Sequence, residues 1–539
     1  MDNATVSSTQ RHLHTHGAML LAVCAAVLAA CTESTPQEPQ QGPPPYADTE
    51  WPSVHAGPSN DDYVPINLAL AFQEKWTALE GASTLAAPTI GPEGNIYQTT
   101  GLGMGNSNLH AFDANGNLLW ETEAWNDASG FDSCAILQGA VIDTDGDLYL
   151  SDCNQFWAFH SDGSVKWTID LPLPPEGAAF QDADAAPVNS FITAFFTRDG
   201  SVGGVTVFGS IVIVDRETGE ARYPITELPG SADPSAVEEM PPTFLLGGLA
   251  DPSLTEYIYN VALNTLALES IDTPAVSAET GRVFVSAAGS AAGTGAIYGI
   301  DLTPRSAGLG QISIAFEAVV AGGGGSSPAL SPDLSTVLAG DGDGNLNAIN
   351  AETGVLEFSV AVENEAASPS VGPDGKIYLI VGQGLALNPD GSVAWEGDYA
   401  DLVAEYVPED PQLGAPVFRA DGVLSITNNA VVFPLIVNYI CDFCAPPREV
   451  PMPVKMLLLT VDPQTGELIE GSEEFALRGT NEAFTVPLRN GSVLVNDGAF
   501  TSSLVSPLAG TVNPIIEKYG LQVIPPTGGL QVIEAVPEN

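Results

Sequence analysis

One phrase recurs along this chain of 539 residues: a small residue with Pro, a turn of Asp-Gly type, a strand ending in Tyr or another hydrophobe, a second strand, a second turn and an aromatic. The clearest copies run from Ala87-Pro88 to Trp120, from Val141 to Trp167 and from Ser368-Pro369 to Trp395. More divergent copies run from Ala186 to Tyr223, from Thr273 through GAIYGIDL, and from Ser327 to Phe358. A seventh begins at Ala415-Pro416, is interrupted by the Pro-punctuated segment VNYICDFCAPPREVPMP and resumes at Lys455. An eighth would join AFTVPLRNGSVLVNDGAF to the C-terminal LQVIEAV, or to NLALAFQEKW from Asn67.

Each unit amounts to three or four short strands of alternating polarity, a sheet with two apolar faces that it cannot bury alone. Stacking the units buries both faces, and closing them into a ring leaves only short, protected edges. The fold expected is all-β: a single β-propeller over residues 51–539, with seven or eight four-stranded blades, eight being favoured, and an aromatic of each unit packed under the next blade. The 55 Gly and 42 Pro suit the many turns this requires.

Residues 18–30 read AMLLAVCAAVLAA, too short to span a bilayer comfortably and the size of a signal-peptide core. Leu28-Ala29-Ala30-Cys31 resembles the bacterial lipobox, whose Cys is diacylated and becomes the new N-terminus. Residues 1–30 are therefore expected to be a lipoprotein signal peptide, Cys31 the lipidated residue, and residues 31–50, rich in Pro, Gln and Glu, a disordered tether. The alternative is a plain secretory signal followed by an ordinary Cys31. Either way the protein is exported, and the lipobox would anchor it in the cell envelope, at the outer membrane.

Four cysteines remain beyond the anchor: Cys134, Cys153, Cys441 and Cys444. Three pairings are possible, and proximity favours Cys134 with Cys153 and Cys441 with Cys444, both as staples on long loops in an oxidising compartment. A redox role for Cys441-Asp-Phe-Cys444 would call for a helix opening after a strand, and a zinc site would call for more ligands.

The segments Ala111-Phe-Asp-Ala-Asn-Gly-Asn-Leu-Leu-Trp120, Ala158-Phe-His-Ser-Asp-Gly-Ser-Val-Lys-Trp167 and Ala348-Ile-Asn-Ala-Glu-Thr-Gly-Val-Leu-Glu-Phe358 resemble the tryptophan-docking repeat of quinoprotein dehydrogenases and related PQQ-like propellers. Asp113, Gly116, Trp120, Gly163, Trp167, Gly354, Phe358, Gly391 and Trp395 fill its docking positions. Trp51-Pro-Ser-Val-His55 followed by Tyr63-Val64-Pro65 is similar to the lead-in before that family's first blade. The resemblance implies one of two branches: enzymes that bind PQQ and calcium and oxidise alcohols or aldehydes, or non-catalytic relatives such as the BamB lipoproteins of outer-membrane assembly. The chain departs from the enzyme pattern. It has no vicinal Cys-Cys pair, and no Glu, Asn and Asp of this chain match the calcium ligands.

Few residues could carry catalysis. Beyond the leader only His55, His110 and His160 could act as bases near neutrality. His160 takes the docking-repeat slot that Asp113 fills, and His110 aligns with Trp157, so both have structural explanations. Asp143-Thr-Asp145-Gly-Asp147 and Asp341-Gly-Asp343-Gly-Asn345 look like calcium-loop fragments without a closing Glu, and hairpin turns explain them. Gly101 to Gly105 and Gly322 to Gly325 lack the Lys-Ser/Thr of a phosphate loop. With 67 Asp and Glu against 15 Lys and Arg, the net charge of -52 argues against binding nucleic acid or anionic lipid.

These readings converge on a non-catalytic, monomeric propeller lipoprotein that binds or scaffolds an envelope protein or small ligand, touching the membrane only through its N-terminal lipid. A PQQ- and calcium-dependent dehydrogenase is the alternative from a different class, and a surface adhesin or glycan-binding propeller is the third.

Overall fold

The structure, a computed structural model, describes residues 42–82, 84, 86–100, 108–122, 138–175, 188–230, 273–322, 326–362, 368–420, 422–445, 448–469, 475–477, 484–497, 502–524 and 528–536. Cys31 and Cys134 lie outside them, as do residues 101–105 and 323–325.

The described residues hold eight sheets, seven of four strands and one of six. Sheet I comprises Thr89–Ile90, Ile96–Thr100, Asn108–Phe112 and Leu118–Glu121, in chain order and antiparallel throughout. Five sheets repeat that order: II begins at Val141–Ile142, III at Phe195–Phe196, IV at Ala275–Val276, V at Ala329–Leu330 and VI at Ser370–Val371. In sheet VII the innermost strand Ser425–Thr427 is followed by two long strands, Val431–Ala445 and Arg448–Val461. Sheet VIII joins the two ends of the fold, because Thr485–Pro487, Val493–Asp497 and Gly529–Ala535 are completed by Phe72–Ala78, paired antiparallel with Gly529–Ala535. Both strands offered by the sequence as alternatives for the eighth copy are therefore used together.

The docking contacts show that the sheets close into a propeller. The Trp120 ring of sheet I lies where a Cβ on Gly163 of sheet II would be, 2.6 Å from that position, and the Trp120 indole N–H donates to Ser161 O at 2.8 Å. Gly163 also has φ 85°, in the left-handed region, so the turn geometry and the ring both require a residue without Cβ. The same contact recurs from Trp167 to Gly219, Phe316 to Gly354, Phe358 to Gly391 and Trp395 to Gly466, with Tyr223 against Gly310 in the equivalent place. Trp76, on the strand that the N-terminal region lends to sheet VIII, docks on Gly116 of sheet I and closes the circle. Between sheets VII and VIII a parallel bridge from Val423 to Phe484 makes the link.

Asp113 is not itself a docking contact. Its carboxylate accepts from the N–H groups of Asn115 and Asn117, at 2.8 and 2.9 Å, and so holds the turn that presents Gly116. Among the described residues two α-helices, Ala400–Tyr406 (α1) and Ser502–Ile516 (α2), depart from the all-β pattern.

Candidate functional site

In a propeller the innermost strand of every blade turns one edge toward the axis, and its N–H groups need partners. Here the chain's own lead-in supplies them. Ile90, Ile142, Val276, Leu330, Val371 and Ile426 donate their N–H groups to the carbonyls of Trp51, Pro52, Pro58, Ser59, Asp61 and Asp62, at 2.6–2.9 Å. These donors lie on the innermost strands of sheets I, II, IV, V, VI and VII, so residues 51–62 wind around the axis. Tyr63–Val64 then pairs parallel with Ser425–Thr427 of sheet VII. Trp51 is fully buried in this segment. Three of the five described non-glycine residues with positive φ occur here, Ala56, Asn60 and Asp62 at 62°, 52° and 54°. Strain of that kind persists only where surrounding bonds over-determine the backbone.

Side chains complete the axial network. His55 Nδ1 is 3.0 Å from Asp62 Oδ1, and His55 Nε2 is 3.1 Å from Ser327 Oγ of sheet V. Ser370 of sheet VI donates to Asp62 Oδ2 at 2.7 Å, and Asn60 Nδ2 donates to Thr273 O and Pro328 O, both at 2.9 Å. Burial pushes the Asp61 carboxyl up to about 7; the Asp62 charge adds to the rise, and the Tyr63 N–H and His55 oppose it. The sequence offered no spatial partner for any histidine, yet His55, Asp62 and Ser327 stand in the order of a Ser-His-Asp relay. A relay works only if a substrate carbonyl reaches the serine, and Ser327, His55 and Asp62 are 2, 4 and 1% exposed. Ser327 also fills the small-residue-before-Pro slot of the repeat. The arrangement is a satisfied buried network that pins sheets V and VI to the lead-in.

The axis can be tested against the cofactor of the enzyme branch. PQQ is a tricarboxylate and calls for cationic partners, but residues 51–64 and the eight innermost strands contain no Lys or Arg and do contain Asp61 and Asp62. The residues present do not fit that group. Among the described residues no cluster of three or more His, Cys, Asp or Glu is placed to hold a metal.

The calcium-like segments are turns. Asp143 Oδ1 accepts from the N–H groups of Asp145 and Asp147, while its Oδ2 takes Tyr149 and Arg216, both at 2.9 Å. Asp147 is engaged by Lys166 at 2.7 Å and His160 at 3.1 Å, so side chains occupy both its oxygens. Asp341 likewise binds the N–H groups of Asp343 and Asn345 and the side chain of Asn347. His110 sits between Thr100 and Glu121, and burial lowers its pKa. A cleft of about 410 Å³ between sheets V and VI is lined by Asp333 and Asp374, whose carboxylates are already bound by Ser331, Ser335 and Lys376.

The two faces of the ring differ. In a four-stranded antiparallel blade the first and third turns lie at one end, and the second turn and the link to the next blade lie at the other. Tight Gly- and Asp-containing turns occupy the first end, for example Gly91–Asn95 and His160–Ser164. Among the described residues the helices and the longest hairpin fall at the second end. Helix α1 links sheets VI and VII, α2 lies within the second turn of sheet VIII, and the strands Val431–Ala445 and Arg448–Val461 outrun the rest of sheet VII as a hairpin. Tyr399, Val403, Tyr439, Met452, Val512 and Ile516 pack these three pieces into one apolar cluster.

Cys441 and Cys444 are joined by a disulfide near the tip of that hairpin, with Cα atoms 5.5 Å apart. The segment read as a Pro-punctuated insertion is thus a continuation of two sheet strands: Pro434, Pro451 and Pro453 sit in the ladder without breaking it, with a register shift at Asn438. Cys153 is also disulfide-bonded and lies in the second turn of sheet II. The tether boundary at residue 50 needs correction as well, because residues 42–50 pack on the ring: Ala47 is 4% exposed and donates its N–H to Ile142 O at 2.8 Å. Nothing in a Pro- and Gln-rich composition signals that contact, since it is made through backbone groups.

No protein-family model matches the chain, and no curated protein matches it by sequence. Among solved structures, the quinohemoprotein alcohol dehydrogenase ADHIIG of Pseudomonas putida HK5 is similar over 92% of this chain and 82% of its own, with 12% identity and a TM-score of 0.49. A europium-containing methanol dehydrogenase is similar over 90% of this chain and 98% of its own, at 11% identity and a TM-score of 0.41. The computationally designed Ika8 protein is similar over 80% and 99%, at 10% identity and a TM-score of 0.40.

Proposed function

We propose that this protein is a non-catalytic PQQ-like propeller of eight blades, a BamB-like lipoprotein of the bacterial envelope anchored through Cys31, which binds or scaffolds a partner through its loop-bearing face. The observation that carries the reading is the axial lead-in. Residues 51–62 take up the inward N–H groups of six blades and bring no Lys or Arg to the axis, so the centre of the ring is given to the protein's own backbone. The helices and the long hairpin gather at one face, and binding residues concentrate in such connections when a rigid scaffold holds them. Fold alone licenses no activity, so the reading rests on the site.

The test is to incubate the purified protein with PQQ and calcium and to record its absorbance, melting temperature and dye-linked alcohol oxidation. Unchanged spectra and melting with no turnover are expected. A quinone-bound, active protein would show instead that the dehydrogenase reading is correct.

A further inference from the structure

The chain joins the ring at one particular face. Gly42 donates its N–H to Arg198 O and accepts from Arg198 Nε, both at 3.0 Å. Pro45 O accepts from the Thr144 N–H at 3.1 Å, and Arg489 donates to Asp48 O at 2.7 Å and pairs with Glu50 at 3.2 Å. Arg198, Thr144 and Arg489 all lie in turns between the first and second strands of their sheets, III, II and VIII. Residues 42–50 therefore cross the short-turn face, next to the axis, before the lead-in enters the ring.

We infer that this point of emergence fixes how the protein sits on a membrane: the short-turn face toward the lipid and the loop-bearing face directed away from it, open to a partner in the aqueous compartment. The inference rests on the reading of Cys31 as the lipid-bearing residue. From Cys31 to Gly42 the chain takes eleven residue steps, a reach of at most about 36–40 Å. To lay the loop-bearing face on lipid, that segment would first cross three inter-strand spacings to the rim, about 14 Å, and climb a five-residue strand, about 17 Å. It would then have to clear the hairpin of sheet VII, whose 15-residue first strand projects past its pairing with Val417–Ala420 by the seven residues 439–445, about 23 Å. That path exceeds the reach, whereas the short-turn face meets lipid with slack. Glu93, Glu217 and Glu352 are exposed on the short turns, so anionic headgroups repel this face and it stands off the surface within a Debye length rather than adsorbing.

The experiment uses full-length lipidated protein in phosphatidylcholine vesicles carrying a surface acceptor dye. The donor is placed at Glu352→Cys, in the turn between the third and fourth strands of sheet V, or at Ala292→Cys, in the second turn of sheet IV; both positions are exposed. Higher transfer efficiency from Glu352→Cys is expected, and the difference should shrink when a 20-residue Gly-Ser spacer is inserted after Pro39. Equal or higher efficiency from Ala292→Cys overturns the orientation. Labelling with a palmitate analogue is run in parallel: wild type labelled and Cys31→Ala unlabelled supports the anchor, and equal labelling of both removes the anchor and the inference with it.

Discussion

Replacing Gly163 by Ala separates two costs that a second glycine isolates. Gly163 and Gly94 both sit in short turns with positive φ, 85° and 77°, but a Cβ on Gly94 meets nothing within 4 Å, whereas one on Gly163 meets the Trp120 ring at 2.6 Å. Gly94→Ala then pays only for left-handed backbone, roughly 1–2 kcal/mol. Gly163→Ala adds overpacking, roughly 1–3 kcal/mol, and disturbs the indole N–H bond to Ser161 O at 2.8 Å, worth roughly 0.5–1.5 kcal/mol. The two variants should differ by about 2–4 kcal/mol. Urea unfolding followed by tryptophan fluorescence reads this directly, because an m-value of about 3 kcal/mol/M turns the difference into roughly 1 M between midpoints. Equal midpoints for the two variants would refute docking as the contact that ties blade to blade.

Other changes test the axis and the loop-bearing face. The raised pKa of Asp61 means that the folded state holds its proton more tightly than the unfolded chain, so stability falls as pH rises from about 3.9 to about 7. Asp61→Asn should flatten the melting temperature between pH 5 and 8, and an unchanged slope would show that another group sets it. Asp410 has the opposite sign: Lys518, Tyr519 and the N–H groups of Gln412 and Leu413 hold its carboxyl down to about 2, so its contribution is present above the ordinary carboxylate range and is lost as pH falls through about 2. Asp410→Asn should speed hydrogen exchange around Glu517–Tyr519 at neutral pH, with the ring unaffected. Replacing Cys441 and Cys444 by Ser releases a four-residue loop, roughly 2 kcal/mol by loop entropy. Limited proteolysis should then cut the hairpin tip while the blades stay resistant; loss of the whole fold would contradict a local role.

The ring was legible because its contacts recur at fixed spacing. Trp120, Trp167 and Trp395 and the turn glycines stand at matching places in each copy, and the periodicity carries the fold even where Phe316 or Tyr223 replaces Trp. Gly219 and Gly466 could have been assigned by the same turn pattern, whereas Gly310 stands six residues before Phe316 rather than four and falls outside it. Trp76 was harder to place, since its partner Gly116 belongs to the first blade while its sheet is the last. The axial network left no such trace. Its bonds from Trp51, Pro52, Pro58, Ser59, Asp61 and Asp62 run through backbone carbonyls, which are the same for every residue type, and the contacts of His55 with Ser327 and Asp62 with Ser370 span about 270 and 310 residues. Only Asn60 and Asp62, residue types that tolerate left-handed backbone, hint at a tight coil there. The CxxC segment misled for a physical reason as well. Proline removes one donor per residue, which an edge or a register shift can absorb, so Pro451 and Pro453 mark a strand here rather than a loop.

The occupied axis separates a ring sealed by its own chain from one open to an external ligand. Single-residue hydrogen exchange on the full-length protein should find the amides of Ile90, Ile142, Val276, Leu330, Val371 and Ile426 as slow as those of the second strand of each blade, because each N–H is bound to a lead-in carbonyl. Exchange of these six at the rate of exposed turn amides would contradict it, and would return the centre of the ring to an external ligand.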